Sequence, residues 1–198
     1  APRRYAASRT LALPLPASDA GLIASFAPKR RREARLAANE GVNYSIRPFP
    51  DLGEAELAEM AALHAAWSGE RRLPGFSEPF LASVRAAFRD AGHCVLARFD
   101  GRLAAVFYLL LYDRVGYYYY TFSDPVADRL HLGVGGIHAA MRSARDAGCD
   151  FFDLGAGFDE RYPESCATWR GFSFFKEQFH PFAVYHPPSL AFPPPDGP

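Results

Sequence analysis

The apolar positions of the chain change period several times, and each change marks an element. "SRTLALPLP", Ser8 to Pro16, alternates and closes on prolines, which predicts a short strand; "SDAGLIASF" follows as a helical turn with Ser18 or Asp19 at its start. In "APKRRREARLAANEG", Pro28 stands where the first turn of a helix tolerates it and Gly41 where a helix end favours it. "NYSIRPF" is strand-like. "LGEAELAEMAALHAAWSGE" sets Leu57, Met60, Ala61, Leu63, Ala66 and Trp67 on a helical period, and "SEPFLASVRAAFRDAG" repeats it behind a Ser77 cap.

From His93 the period shortens. "HCVLARFDGRLAAVFYLLLYDRVGYYYYTFSD" predicts a three-stranded meander turning at Asp100-Gly101 and between Asp113 and Gly116. "HLGVGGIHAAMRSARDAGCDFFDLGAG" reads as a Gly-rich loop, a helix closing at Gly148 and a short buried strand. "WRGFSFFKEQFHPFAVYH" predicts two aromatic strands broken at Pro181, the first carrying Lys176 on one face with Phe174 and Gln178. The expectation is one α+β domain over residues 1–187, a mixed sheet with an antiparallel meander flanked by helices, and a proline-rich tail over 188–198.

Composition narrows this further. With 198 residues, 49% apolar and 22% charged, the chain matches one soluble domain with a sizeable core. Cys94, Cys149 and Cys166 are odd in number and include no CxxC pair, so neither a disulfide framework nor a metal site is indicated, and a cytoplasmic location is expected. No run of eighteen apolar residues and no leader is visible, so no membrane partner is expected; because the chain does not begin with Met, an upstream segment or paired domain is left open. Net charge is zero but uneven: residues 1 to 35 hold eight basic side chains against Asp19 and Glu33. That surplus suggests one basic face meeting a polyanion.

Several groups have chemistry beyond packing. On a helix, Lys29, Arg30, Arg31, Arg32 and Arg35 offer cations that can converge on successive phosphates, or they form a solvated face. Gly133, Val134, Gly135 and Gly136 before a helix would aim backbone N–H groups at an anion, or serve tight helix packing. Lys176 either lays its stem on Phe174 with the amine in solvent, or enters a site. The run Tyr117 to Tyr120 places two rings on each strand face, one pair packing inward and the other lining a groove.

Three segments together carry a family likeness: "SFAPKRRREARLAANEGVNYSIRP", "GIHAAMRSARDAGCDFFDLGAG" and "FSFFKEQFHP". Over roughly residues 8 to 182 the chain resembles the C-terminal half of Fem-type aminoacyltransferases, a branch of the GNAT N-acyltransferase superfamily that uses aminoacyl-tRNA. Where that family shows Arg-x-Asn-x-Arg, this chain has Arg31, Glu33 and Arg35. The resemblance implies a GNAT fold and transfer of an aminoacyl group from charged tRNA to the amine of a small peptide-like or amino-acid-like acceptor, as in natural-product assembly. No cofactor beyond that co-substrate and no DNA partner is implied.

The aromatic-Lys pair Phe175-Lys176 matches the family's, which implies that the lysine stabilises negative charge on the acyl carbonyl. Asp153, Asp159 and His180 are the possible bases; Asp153 can also cap the loop after it and His180 can be a turn residue. Two alternatives remain. One is an acyl-CoA-dependent GNAT enzyme holding pyrophosphate on Gly133 to Gly136, although Arg129 to Gly135 is one residue longer than the usual motif. The other is a non-catalytic tRNA-binding module of a larger protein.

Overall fold

The computed structural model describes residues 8–39, 41–71, 78–125 and 129–187; Ser77 and the tail over 188–198 lie outside them. The chain runs β1 (Arg9–Pro14), α1 (Asp19–Ser25), α2 (Pro28–Asn39), β2 (Asn43–Pro48), α3 (Glu54–Arg71), α4 (Glu78–Ala87), β3 (Gly92–Phe99) and β4 (Arg102–Tyr112). It continues through β5 (Val115–Ser123), α5 (Leu132–Asp146), β6 (Phe151–Ala156), α6 (Arg170–Glu177) and β7 (Phe182–Tyr185). The seven strands form one sheet in the order β2-β3-β4-β5-β6-β1-β7. Every neighbouring pair is antiparallel except β5 and β6, which α5 joins as a crossover and which are therefore parallel.

Strand β4 is buried without a break from Ala104 to Leu110, because helices cover both sheet faces. Ala105, Phe107 and Leu109 join Leu22, Phe26, Ala34, Ile137 and Met141 in the core beneath α1, α2 and α5. Val106, Tyr108 and Leu110 point the other way, toward Met60, Leu81 and Val84 of α3 and α4. The hairpins turn through positive φ at paired central residues, Asp100 (49°) with Gly101 (74°) and Asp113 (50°) with Arg114 (60°), which matches the right-handed strand twist. The α+β mixed sheet flanked by helices is thus as expected.

Three local expectations are corrected. Residues 170–177 are α6, not a strand; only Phe182–Tyr185 extends the sheet, against β1. A short aromatic run fits either period, and here contacts three and four residues apart win: Trp169 on Phe172, Phe175 on Phe179, and Lys176 over Phe172. The burial of Phe179 in the core beneath α5 anchors that choice.

Gly133, Gly135 and Gly136 are not a loop before a helix but lie inside α5, whose N-cap His131 takes a left-handed φ of 50°. The N–H groups of Val134 and Gly135 both donate to the His131 carbonyl at 3.0 Å, so they do not form an anion cradle. A Cβ at Gly136 would overlap the Phe107 ring and one at Gly135 the Tyr44 ring, so these glycines permit α5 to seat closely on the sheet.

The third correction is in β5. Tyr108 faces Tyr120 while Leu109 faces Tyr118, which makes Tyr119 an extra, bulged residue. Strict alternation would put Tyr118 and Tyr120 on one face. The bulge instead sends Tyr118 toward the α5 core and Tyr120, with Tyr117, toward the α3 core.

Candidate active site

The parallel pairing of β5 with β6 spans only Val115 with Phe151, Gly116 with Phe152 and Tyr117 with Asp153. Past that point β5 stays bonded to β4 and β6 to β1, so the two strands part. The space between them opens into a cleft of about 670 Å³. Tyr118, Tyr119 and Tyr120 form one wall, Gly155 and Ala156 the other, and α6 closes the floor with Phe172, Phe175 and Lys176. Trp67 and Trp169 complete an aromatic lining.

Among the described residues of this lining, Lys176 is the one titratable cation. Its amine donates to the Ala156 carbonyl at 2.8 Å and sits 4.9 Å above the Phe172 ring. Burial pulls its pKa down to about 8, while the Asp153 carboxylate acts in the opposite sense and favours the ammonium. Asp153 also accepts from the Gly155 N–H at 2.6 Å, closing a turn at a residue with φ of 78°. The carboxylate that favours the charge therefore also bends the end of β6 around it.

Phe175 braces the floor. Its ring packs on Phe179 with centroids 5.6 Å apart, and the Arg30 guanidinium lies 4.4 Å from its centroid. Arg30 is only 8% exposed and pairs with Glu33, so it is not the surface phosphate contact expected of it; it ties α2 to α6 instead. Lys29, Arg32 and Arg35 are exposed and Arg31 is half-buried, leaving a basic face on the outer side of α2. Buried Glu33 is committed to Arg30.

Of the residues singled out in the sequence, Phe175, Lys176, Gly133 and, through its charge, Asp153 are brought together. Asp159 is not. It is fully buried, accepts from Ser8 Oγ, the Arg161 backbone N–H (2.9 Å) and the Arg161 guanidinium (2.8 Å), and its pKa is held well below the carboxylate range chiefly by the Arg161 hydrogen bonds. A carboxylate that resists protonation is a poor base. Its stabilising contribution is fully present above the ordinary carboxylate range and is lost as pH falls toward its depressed folded value. Asp159→Asn is expected to lower stability by about 2–3 kcal/mol at neutral pH, measured by urea unfolding, with the deficit shrinking in acid.

His180 is also elsewhere: its ring Nδ1 lies 2.8 Å from the Ser25 carbonyl, pinning the turn after α6 to the end of α1. What sequence reasoning passed over is His64. It lies on the inward stripe of α3 between buried Met60 and half-buried Trp67, four residues after one and three before the other. A histidine on an apolar helical stripe is the one sign of it in the sequence; that it meets Tyr120, next to the bulged Tyr119, is not visible there.

The three cysteines are buried and unpaired. Among the described residues no cluster of His, Cys, Asp or Glu could hold a metal ion, and no helix is long and apolar enough to cross a membrane.

Residues 27–163, most of the frame just described, match the family described as Acetyltransferase (GNAT) domain. The chain belongs to that family. This GNAT domain is similar to the crystal structure of FemX, with a TM-score of 0.80 and 13% identity over 93% of this chain and 61% of that one. It is also similar to the C-terminal domain of an Agrobacterium fabrum protein assigned as a lysylphosphatidylglycerol synthetase, with a TM-score of 0.68 and 16% identity, covering 89% of this chain and 57% of that one. L-PGS from Bacillus licheniformis follows at 0.64 and 13%, covering 91% and 60%. At such identities the likeness is one of fold, and this chain spans about three fifths of the length of those structures. Among curated proteins, none matches it in sequence.

Proposed function

We propose that this GNAT domain moves an aminoacyl group from aminoacyl-tRNA to the amine of a small peptide-like or amino-acid-like acceptor, forming an amide bond. The observation that carries this reading is the Lys176 amine on the floor of an aromatic cleft between two parting strands. An aminoacyl ester is already activated, so its aminolysis needs alignment and a cation beside the carbonyl oxygen as that oxygen becomes anionic. Lys176 supplies the cation. The parted edges of β5 and β6 offer a slot for an extended, peptide-like substrate.

The basic outer face of α2 supports a polynucleotide carrier, and Arg30 on Phe175 links that helix to the cleft floor. The Fem-type resemblance and the similarity in fold to FemX and to lysylphosphatidylglycerol synthetase domains point the same way. The family description and the placing of Gly133 at the cleft favour a second reading, an acyl-CoA donor. Against it, Gly135 and Gly136 are packed under Tyr44 and Phe107, and the Val134 and Gly135 amides are already bonded to His131.

Incubating the protein with radiolabelled charged tRNAs and a panel of amino acids and dipeptides should give ribonuclease-sensitive transfer of label to an acceptor. Transfer from acyl-CoA alone, with CoA raising the thermal midpoint, would replace this reading by the second. Binding of charged tRNA without any transfer would leave only a tRNA-binding module. Arg31→Ala combined with Arg35→Ala should weaken tRNA binding and reduce the slope of log affinity against log salt by about 1.4–1.8, read from filter binding at several salt concentrations.

A further inference from the structure

Lys176 answers only half of the chemistry, because the attacking nitrogen must also lose a proton. Asp159 is locked to Arg161, Asp153 is engaged with the Gly155 N–H, and His180 faces the Ser25 carbonyl. His64 is not bound up in this way. It is 6% exposed and enclosed by the rings of Trp67, Tyr120 and Phe122, with centroids at 6.1, 6.0 and 5.1 Å. Its Nε2 lies 3.2 Å from the Tyr120 hydroxyl, and Tyr120 is itself half-buried in the wall of the cleft. One phenol thus separates a buried imidazole from the space that holds Lys176.

We infer that Tyr120 and His64 form a proton relay for the acyl transfer. As the acceptor nitrogen bonds to the acyl carbon, its proton passes to Tyr120 Oη while the Tyr120 proton passes to His64 Nε2. When the bond from acyl carbon to the leaving atom breaks, whether the ester oxygen of a charged tRNA or the sulfur of an acyl-CoA, the imidazolium returns a proton through Tyr120 to that atom. The nitrogen loses one proton, the leaving group gains one, and both side chains end as they began.

The physical chemistry of the pair agrees. Burial pushes the Tyr120 hydroxyl up to about 12, so a standing tyrosinate is not available, and a phenol that gives one proton as it takes another avoids that species. Burial also lowers the His64 pKa below its ordinary value, with the Glu78 carboxylate at the start of α4 pulling in the opposite sense. The imidazole is therefore neutral and able to accept at pH 7. Glu78 and Tyr120 are the titratable groups that face it among the described residues; Trp67 and Phe122 carry no charge.

The inference rests on the acyl-transfer reading but not on the choice of donor. Tyr120→Phe, which keeps the packed ring, should lower kcat about a hundredfold with the donor KM within twofold, and the thermal midpoint shows whether the fold is intact. His64→Gln should lower kcat similarly and remove an acid limb of the kcat profile seen in the wild type. Protonation of the acceptor itself is common to both proteins, so a limb lost only in the variant belongs to His64. Kcat values within threefold of wild type and an unchanged limb would overturn the relay.

A measurement free of turnover accompanies this. NMR of the wild-type His64 ring, assigned by its absence in His64→Gln, should show a neutral imidazole protonated on Nδ1 at pH 7.5. An imidazolium there, or a proton on Nε2, overturns the relay whatever the donor. If acyl-CoA is turned over and charged tRNA is not, the donor reading falls and the relay is judged on the acyl-CoA rates; turnover of neither sinks both.

Discussion

If the proposed transfer is the reaction, Lys176→Ala is expected to lower kcat by about 10²–10³-fold and to leave the affinity for charged tRNA within about twofold, to be checked by single-turnover transfer and filter binding. The size follows from what the amine does. In the ground state it is satisfied by the Ala156 carbonyl at 2.8 Å, so it adds little to binding. Beyond the pull of the Asp153 carboxylate, the ammonium gains a further charged partner only when the acyl oxygen becomes anionic, in a cleft whose aromatic walls limit screening by water.

The pH dependence carries the same assignment. A lysine whose pKa is pulled down to about 8 is charged below that value and neutral above it, so kcat should fall as pH rises through about 8. Lys176→Arg keeps its charge over this range and should lose that fall while remaining slower than wild type. A Lys176→Ala protein within threefold of wild type, or a profile in which the arginine variant keeps the same fall, would remove the lysine from the mechanism.

Gly136→Val is the largest stability effect expected, about 3 kcal/mol or more, with the thermal midpoint lowered by roughly 6–12 °C. Added atoms at this position run into the Phe107 ring, which is fully buried between α5 and β4 and has no open space to yield into. Even Gly136→Ala should destabilise, although alanine is favoured over glycine within a helix by about 1 kcal/mol. Gly133→Ala makes the contrast, since its Cβ would meet Phe175 at an ordinary 3.6 Å and stability should hold or rise. If instead Gly136→Ala left stability unchanged and abolished CoA binding, the glycine would belong to a phosphate site and the acyl-CoA reading would gain.

The meander was legible because Asp100-Gly101 and the stretch from Asp113 to Gly116 mark turns between apolar runs, and local turn chemistry is a local property; the structure then put the second turn at Asp113 and Arg114. The phosphate-like Gly run and the aromatic Lys176 segment were not. Glycines at a helix start look alike whether they face an anion or a Phe107 ring, and a short aromatic stretch fits a strand as well as α6. The pairing of His64 was invisible for a related reason: its partner Tyr120 is 56 residues away, and the bulge at Tyr119 decides which tyrosine turns toward it.

By itself the sequence determined the order of most elements, the basic stretch of α2 and the presence of a lysine among aromatics near the C-terminal end, since these depend on composition and on periods readable within one segment. Only the tertiary structure decided where β5 and β6 part, that Arg30 turns inward onto Phe175 while its neighbours stay outside, and which ionisable groups meet in the cleft. Those outcomes depend on close packing between segments distant in the chain, where a single bulge or a missing Cβ redirects a side chain from one face to the other.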